Sequence, residues 1–175
     1  MTNKKDRISI QVGLSGYSFE IEADNTGFTR KFTLMPSGFY NHDKAWETLS
    51  EVVDLDKDDK VDVIEIPEFK AVLLFSGQIG GVYYMLKKLP ELQDYNKILA
   101  SYSEGVLYLV IAQGKSLLLC NSFAAPDFTT AEYFIFLAMK KLQLNPEVST
   151  ITFHTELSGE EEMSLCRYFK NVEQI

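Results

Sequence analysis

Two stretches of this chain carry the same pattern of strands and turns. Residues 7–34 read as strand, Ser15-Gly16 turn, strand, Asn25-Thr26-Gly27 loop, strand. Residues 97–123 read as strand, Glu104-Gly105 turn, strand, Gln113-Gly114 turn, strand. Setting Gly16 on Gly105 brings Ile10 onto Leu99, Phe19 onto Tyr108 and Ile21 onto Val110. A repeat constrains architecture more than any single residue does, because each copy must build the same unit. This one predicts two superposable three-stranded meanders, each followed by helix and strand.

The two copies differ in how wet they are. Ile8, Ile10 and Val12 alternate with Ser9, Gln11 and Gly13, and Tyr17, Phe19 and Ile21 alternate with Ser18, Glu20 and Glu22. Period-two alternation marks strands with one solvated face. Across Val106 to Ala112 both alternating sets are apolar, and Leu117 to Cys120 continue the trend. Strands of that kind are covered on both faces, commonly by helices. The C-terminal half is therefore expected to be the better-packed one, and a chain that is 46% hydrophobic can fill such a core.

Further elements follow from local signals. Pro36 to Gly38 breaks the chain before a helix over 43–53. Strands over 61–66 and 71–75 flank Pro67, and a helix over 79–89 ends before Pro90. Thr129 with Glu132 predicts a capping box, followed by a helix with Phe134, Leu137 and Ala138 on one stripe that stops before Pro146. A strand over 150–154 precedes a second box, Ser158 with Glu161, opening a helix through Leu165 and Phe169. The order β-β-β-α-β-α is that of a ribonuclease H-like unit. The fold class expected is α/β with mixed sheets: two such units in actin-like arrangement, the first abbreviated. The corresponding lobes are residues 1–94 and 95–175.

Tyr95 to Ser101, Val106 to Gln113, Leu118 to Phe123 and Phe134 to Pro146 carry a resemblance. Their specific parts are the Leu-Leu-Cys-Asn-Ser-Phe strand end and the Gln-Leu-Asn-Pro helix exit. These segments are similar to the C-terminal half of an uncharacterised Bacteroidetes family whose members resemble actin-like proteins in fold and have no assigned activity. The resemblance is strongest over residues 95–175. It implies a shortened first lobe, lacking after residue 89 the strand and helix of a full unit.

Charge and targeting signals narrow the function classes. Asp and Glu outnumber Lys and Arg 25 to 17, for a formal charge of −8. A net negative field repels phosphate backbones, so a broad nucleic-acid or anionic-membrane surface is not expected. Residues 1–7 are polar and charged and run directly into a strand pattern, with no apolar run of the kind a secretory leader needs. No apolar stretch approaches the roughly 20 residues of a membrane helix, so no membrane insertion is expected. Cys120 and Cys166 both lie in apolar patterns and read as buried free thiols of a reducing, cytoplasmic compartment.

Candidate chemistry is sparse. An actin-like ATPase places Asp-Xaa-Gly turns after the first strand of each lobe, to orient Mg²⁺ and to bring backbone N–H groups to the phosphates. This chain has turns at Gly16 and Gly105 with no Asp, and Glu104 is the one carboxylate beside either. Ordinary hairpin turns account for both. Ser76-Gly77-Gln-Ile-Gly80-Gly81 lies between a strand and a helix, where glycine-rich loops can cradle phosphate, yet no Lys-Ser/Thr follows. A tight turn opening a helix is the simpler account. Asp54, Asp56 and Asp58 with Glu65 fall at positions 1, 3, 5 and 12 of a calcium loop, but Asp59 stands where glycine is required and Pro67 blocks the exit helix. A solvated acidic turn explains them. His42 and His154 lack the further ligands of a zinc site. Cys166 has no cation placed to activate it, and the tyrosines read mostly as core.

These readings predict no cofactor and no resident metal. They describe a non-catalytic protein-interaction or scaffold module with a degenerate actin-like fold and an unknown protein partner. The alternative is a nucleotide or phosphometabolite binder with slow or no hydrolysis, using Gly16, Glu104, Gly105, Gly77 or Gly80.

Overall fold

The computed structural model describes residues 9–10, 18–20, 31–77 and 80–175. In chain order, β1 (Ser9–Ile10), β2 (Ser18–Glu20) and β3 (Lys31–Pro36) precede α1 (Ala45–Ser50). Then come β4 (Asp62–Ile66), β5 (Ala71–Ser76) and α2 (Gly80–Lys88). The C-terminal half supplies β6 (Asn96–Ser103), β7 (Val106–Gln113), β8 (Ser116–Ala124), α3 (Phe128–Lys141), β9 (Thr150–Phe153), α4 (Gly159–Cys166) and β10 (Asn171–Gln174). Seven strands form one sheet in the order β1-β2-β8-β7-β6-β9-β10, and three form another in the order β3-β5-β4.

The apolar run from Val106 to Ala112 becomes the middle strand of an antiparallel meander, β6-β7-β8. Glu104 and Gly105, both with left-handed φ (50° and 73°), close its first turn. Two left-handed residues match the twist of the strands they join, and only glycine takes that conformation without cost. β9 then runs parallel to β6, and β10 parallel to β9. The two-faced burial expected of this half is realised: Leu107, Leu109 and Ile111 pack with α3 and α4, while Tyr108, Val110 and Ala112 pack toward α2.

The molecule is layered as α1, small sheet, α2, large sheet, α3 with α4. Leu49 and Val53 cover Val72 and Leu74 on the outer face of the small sheet. Its inner face, with Phe32, Leu34, Ile66, Leu73 and Phe75, meets Val82, Met85, Leu86 and Leu89. The same side chains of α2 and its exit also meet Leu99, Val110, Leu117 and Cys120 of the large sheet. One helix is thus buried on two sides, and one core draws on residues from both sides of position 95.

Several expectations change. β1 and β2 do pair antiparallel, Ser9 with Glu20 and Ile10 with Phe19. However, β2 lies parallel to β8 in the large sheet, and β3 pairs with β5 in the small one. Residues 7–34 therefore do not repeat the meander of residues 97–123. Two burial demands separate their strands: β8 would otherwise leave an open edge, and Phe32 and Leu34 of β3 need the cover of α2. The turns at Ser15-Gly16 and Asn25-Gly27 lie outside the described residues. The box expected from Thr129 and Glu132 is not used. Asp127, in extended backbone after Pro126, caps α3 through Thr130 N at 2.7 Å. The helix thereby starts two residues early, and Glu132 no longer occupies the reciprocal position. Ser158 and Glu161 make both bonds of their box. That helix ends at Cys166, and the chain then adds β10, whose single apolar residue, Val172, gave no strand signal.

Candidate functional site

The parallel pair β6–β9 ends where several polar and aromatic side chains gather. His154 continues β9 by one residue, its N–H donating to Ala100 O at 2.8 Å. Tyr102 N donates to Thr155 Oγ1 at 3.0 Å, and Tyr102 Oη donates to Ala125 O at 2.8 Å. These bonds tie β6 to the end of β9 and to the loops after β8 and β9. On the α2 side, the Tyr84 ring packs on the His154 ring at 4.5 Å between centroids. Lys88 Nζ stands 5.9 Å from the Tyr84 centroid and 2.9 Å from Glu91 Oε2. The hydrogen bond to Glu91 raises the Lys88 pKa, with the Glu91 charge adding to it. On the other side, burial raises the Tyr102 phenol, helped by the negative charges of Asp127 and Glu161. The group offers a surface ring pair beside a cation. Among the described residues at this end of β6 and β9, the hydrogen bonds join backbone groups to side chains and to one another, and none pairs a base with a nucleophile.

The residues singled out in the sequence scatter over this frame. Gly16 lies outside the described residues. Glu104 and Gly105 form the tip of the β6–β7 hairpin, at the same end of the sheet as His154, with Gly105 O accepting from Ala125 N at 2.8 Å. Gly77 is exposed with φ of 86°, and a Cβ there would meet nothing within 4 Å. It serves the backbone turn. Gly80 opens α2. Asp54, Asp56 and Asp58 are exposed, and the turn closes on itself: Asp56 N donates to Asp59 Oδ2 at 2.8 Å and Asp59 N to Asp56 O at 3.0 Å. Among the described residues no group of three or more His, Cys, Asp or Glu side chains converges as metal ligands would.

Two sequence expectations about burial are corrected here. Cys120 is buried, its thiol pKa pushed up by desolvation, but Cys166 is exposed at the end of α4. The tyrosines are less interior than their spacing implied: Tyr84, Tyr95, Tyr133 and Tyr168 are all exposed. Spacing reports which helix face a residue shares, and it does not report whether a further layer covers that face.

Tyr133, Met163 and Tyr168, at 59%, 65% and 52% exposure, mark such an uncovered face on α3 and α4. Phe136 meets Tyr168 edge-on at 4.9 Å and stacks with Phe169 at 5.7 Å, and Tyr133 meets Phe134 edge-on at 5.3 Å. Tyr133 and Tyr168 read as core from their spacing, and their exposure corrects that reading.

A model of the family described as "Protein of unknown function (DUF3822)" matches residues 81–172. The solved structure of a Bacteroides thetaiotaomicron protein, described as having an actin-like ATPase fold and unknown function, superposes with a TM-score of 0.67. It is 17% identical, and the match covers 84% of this chain. This chain spans 65% of that protein's length. No curated protein matches. At that identity the likeness is one of fold: a mixed α/β chain with an actin-like architecture.

Proposed function

This chain belongs to the DUF3822 family and carries an actin-like fold, and from that premise we propose that it is a non-catalytic protein-interaction module. The observation that carries the reading is the exposure of Tyr133, Met163 and Tyr168 along α3 and α4, with Tyr133 edge-on to Phe134 and Tyr168 edge-on to Phe136. Large apolar side chains grouped on one surface, rimmed by charge, are characteristic of protein-binding sites. A reducing, cytoplasmic setting belongs to the same reading, supported by the free thiols of Cys120 and Cys166. Photo-crosslinking residues placed at Tyr168 and, as a control, at Lys57 in the acidic turn test it. Crosslinks in native cells should form at position 168 and not at position 57. Equal, sparse labelling at both would remove the reading.

A second reading is a nucleotide or phosphometabolite binder. It is favoured by one arrangement, the Tyr84–His154 ring pair with Lys88 near the carboxyl end of a parallel strand pair, where open α/β sheets commonly hold ligands. Thermal unfolding with ATP or ADP and Mg²⁺ separates the two. The interaction reading expects no shift and no Mg²⁺-dependent hydrolysis, and it expects Glu104→Gln to be inert in both assays. A rise of several degrees favours the second reading by binding linkage.

A further inference from the structure

We propose that the α3–α4 face is where a second copy of this chain docks, forming a two-fold symmetric dimer. This names the partner for the interaction reading above and rests on it. Strands β8, β9 and β10 all run in the direction of β6, so the two crossover helices between them both return the opposite way and lie parallel. Their N-terminal ends share one end of the face and their C-terminal ends the other. Contacts agree: Asp127 and Glu161, from the two starts, both act on the Tyr102 phenol, while Phe136 past the middle of α3 meets Tyr168 beyond the end of α4.

Charge follows the same axis. Asp127, Glu160, Glu161 and Glu162 lie at the starting end, and Lys140, Lys141, Arg167 and Lys170 at the finishing end. Between them stand the exposed Tyr133 and Met163, and Tyr168 follows Arg167 at the finishing end. A two-fold interface sets each patch against its own copy in reverse, so it needs a surface that complements itself. An acidic end, an apolar middle and a basic end satisfy that requirement when the axis passes near Tyr133 and Met163, midway along the two helices. A uniformly basic partner would meet repulsion at one end of this face, and a uniformly acidic one at the other. Net charge of −8 opposes self-association at long range, so the contact depends on the local pairing of opposite ends.

Sedimentation equilibrium of the full chain up to about 100 μM, a range that reports weak dimers, is the first test, and a concentration-dependent dimer is expected. Glu160→Lys/Glu162→Lys makes the face wholly basic, and Lys140→Glu/Arg167→Glu makes it wholly acidic. Each variant alone should dissociate at least about tenfold more readily, and an equimolar mixture should recover a heterodimer. Far-UV circular dichroism establishes that each variant is folded. A wild-type chain monomeric throughout overturns the proposal, as does a dimer indifferent to both charge reversals. Crosslinks from position 168 to a different protein, with a monomeric chain, would sink the dimer while leaving the interaction reading intact.

Discussion

Asn121 holds its side chain at 1% exposure between β7 and β2, and its amide nitrogen has no hydrogen-bond partner among the described residues. Its Oδ1 accepts from the neighbouring Ser122 N at 2.7 Å. A buried donor without an acceptor costs about 1–3 kcal/mol, and a typical hydrogen bond returns about 1 kcal/mol. Asn121→Leu removes the orphaned donor and forfeits the Ser122 bond. We expect the balance to favour the variant by up to about 1 kcal/mol, read as a higher urea midpoint at unchanged slope. A lower midpoint would mean that the amide is holding β8 in place. Glu104 is the converse case, an exposed side chain at a left-handed position. Glu104→Gln keeps the same backbone and should shift stability by less than about 0.5 kcal/mol. The hairpin at Glu104-Gly105 was legible from the sequence because its cause is local. The burial of Asn121 was not, since it depends on β2, a strand far away in the chain.

α2 is the element on which the most packing converges. Met85, Leu86 and Leu89 are essentially inaccessible, held between the two sheets. Leu86→Ala would leave a cavity facing two layers that cannot both collapse into it, and we expect a loss toward the upper end of about 2–5 kcal/mol. Chemical denaturation of the variant checks this. A loss under about 1 kcal/mol would indicate that the sheets close over the gap. Sequence spacing identified the helix, and Pro90 its exit, but an apolar stripe cannot say how many sheets it touches. The same limit explains α4, whose Ser158–Glu161 box is a contiguous signal and appears as expected, while the following β10 depends on pairing with β9. α3 started early because Asp127 competes with Thr129 for the capping role, and both fit the local rule.

For the whole molecule, pH dependence follows from its tethered charges. The Asp127 carboxyl is held below its ordinary 3.8, first by the Thr130 backbone N–H. Glu68 is held below its ordinary 4.5, first by a backbone N–H and then by Lys87. Groups with depressed pKa stabilise the fold above their unfolded values and lose that contribution as pH falls through the folded ones. Lys87 and Lys88 are raised above 10.5 by Glu68 and Glu91, so their contribution holds below that value and fades as pH rises past it. The melting temperature should therefore be flat through neutrality, fall in acid below the carboxylate range, and fall again in strong alkali. A maximum at acid pH would contradict this assignment. At this scale the fold class was legible from strand and helix order, whereas the sorting of strands between two sheets was not. Matching patterns at 7–34 and 97–123 fix which residues alternate, not which neighbour each strand finds. That sorting has a consequence for synthesis. β2 reaches its β8 neighbour at Cys120 and Asn121 only after about a hundred further residues have been made, a separation that slows folding. The β1–β2 pair must leave the ribosome long before its dock exists, and the large-sheet side of α2 likewise waits for β6 to β8. Nascent chains stalled before residue 116 should remain open to protease, and those released beyond β8 should begin to resist it.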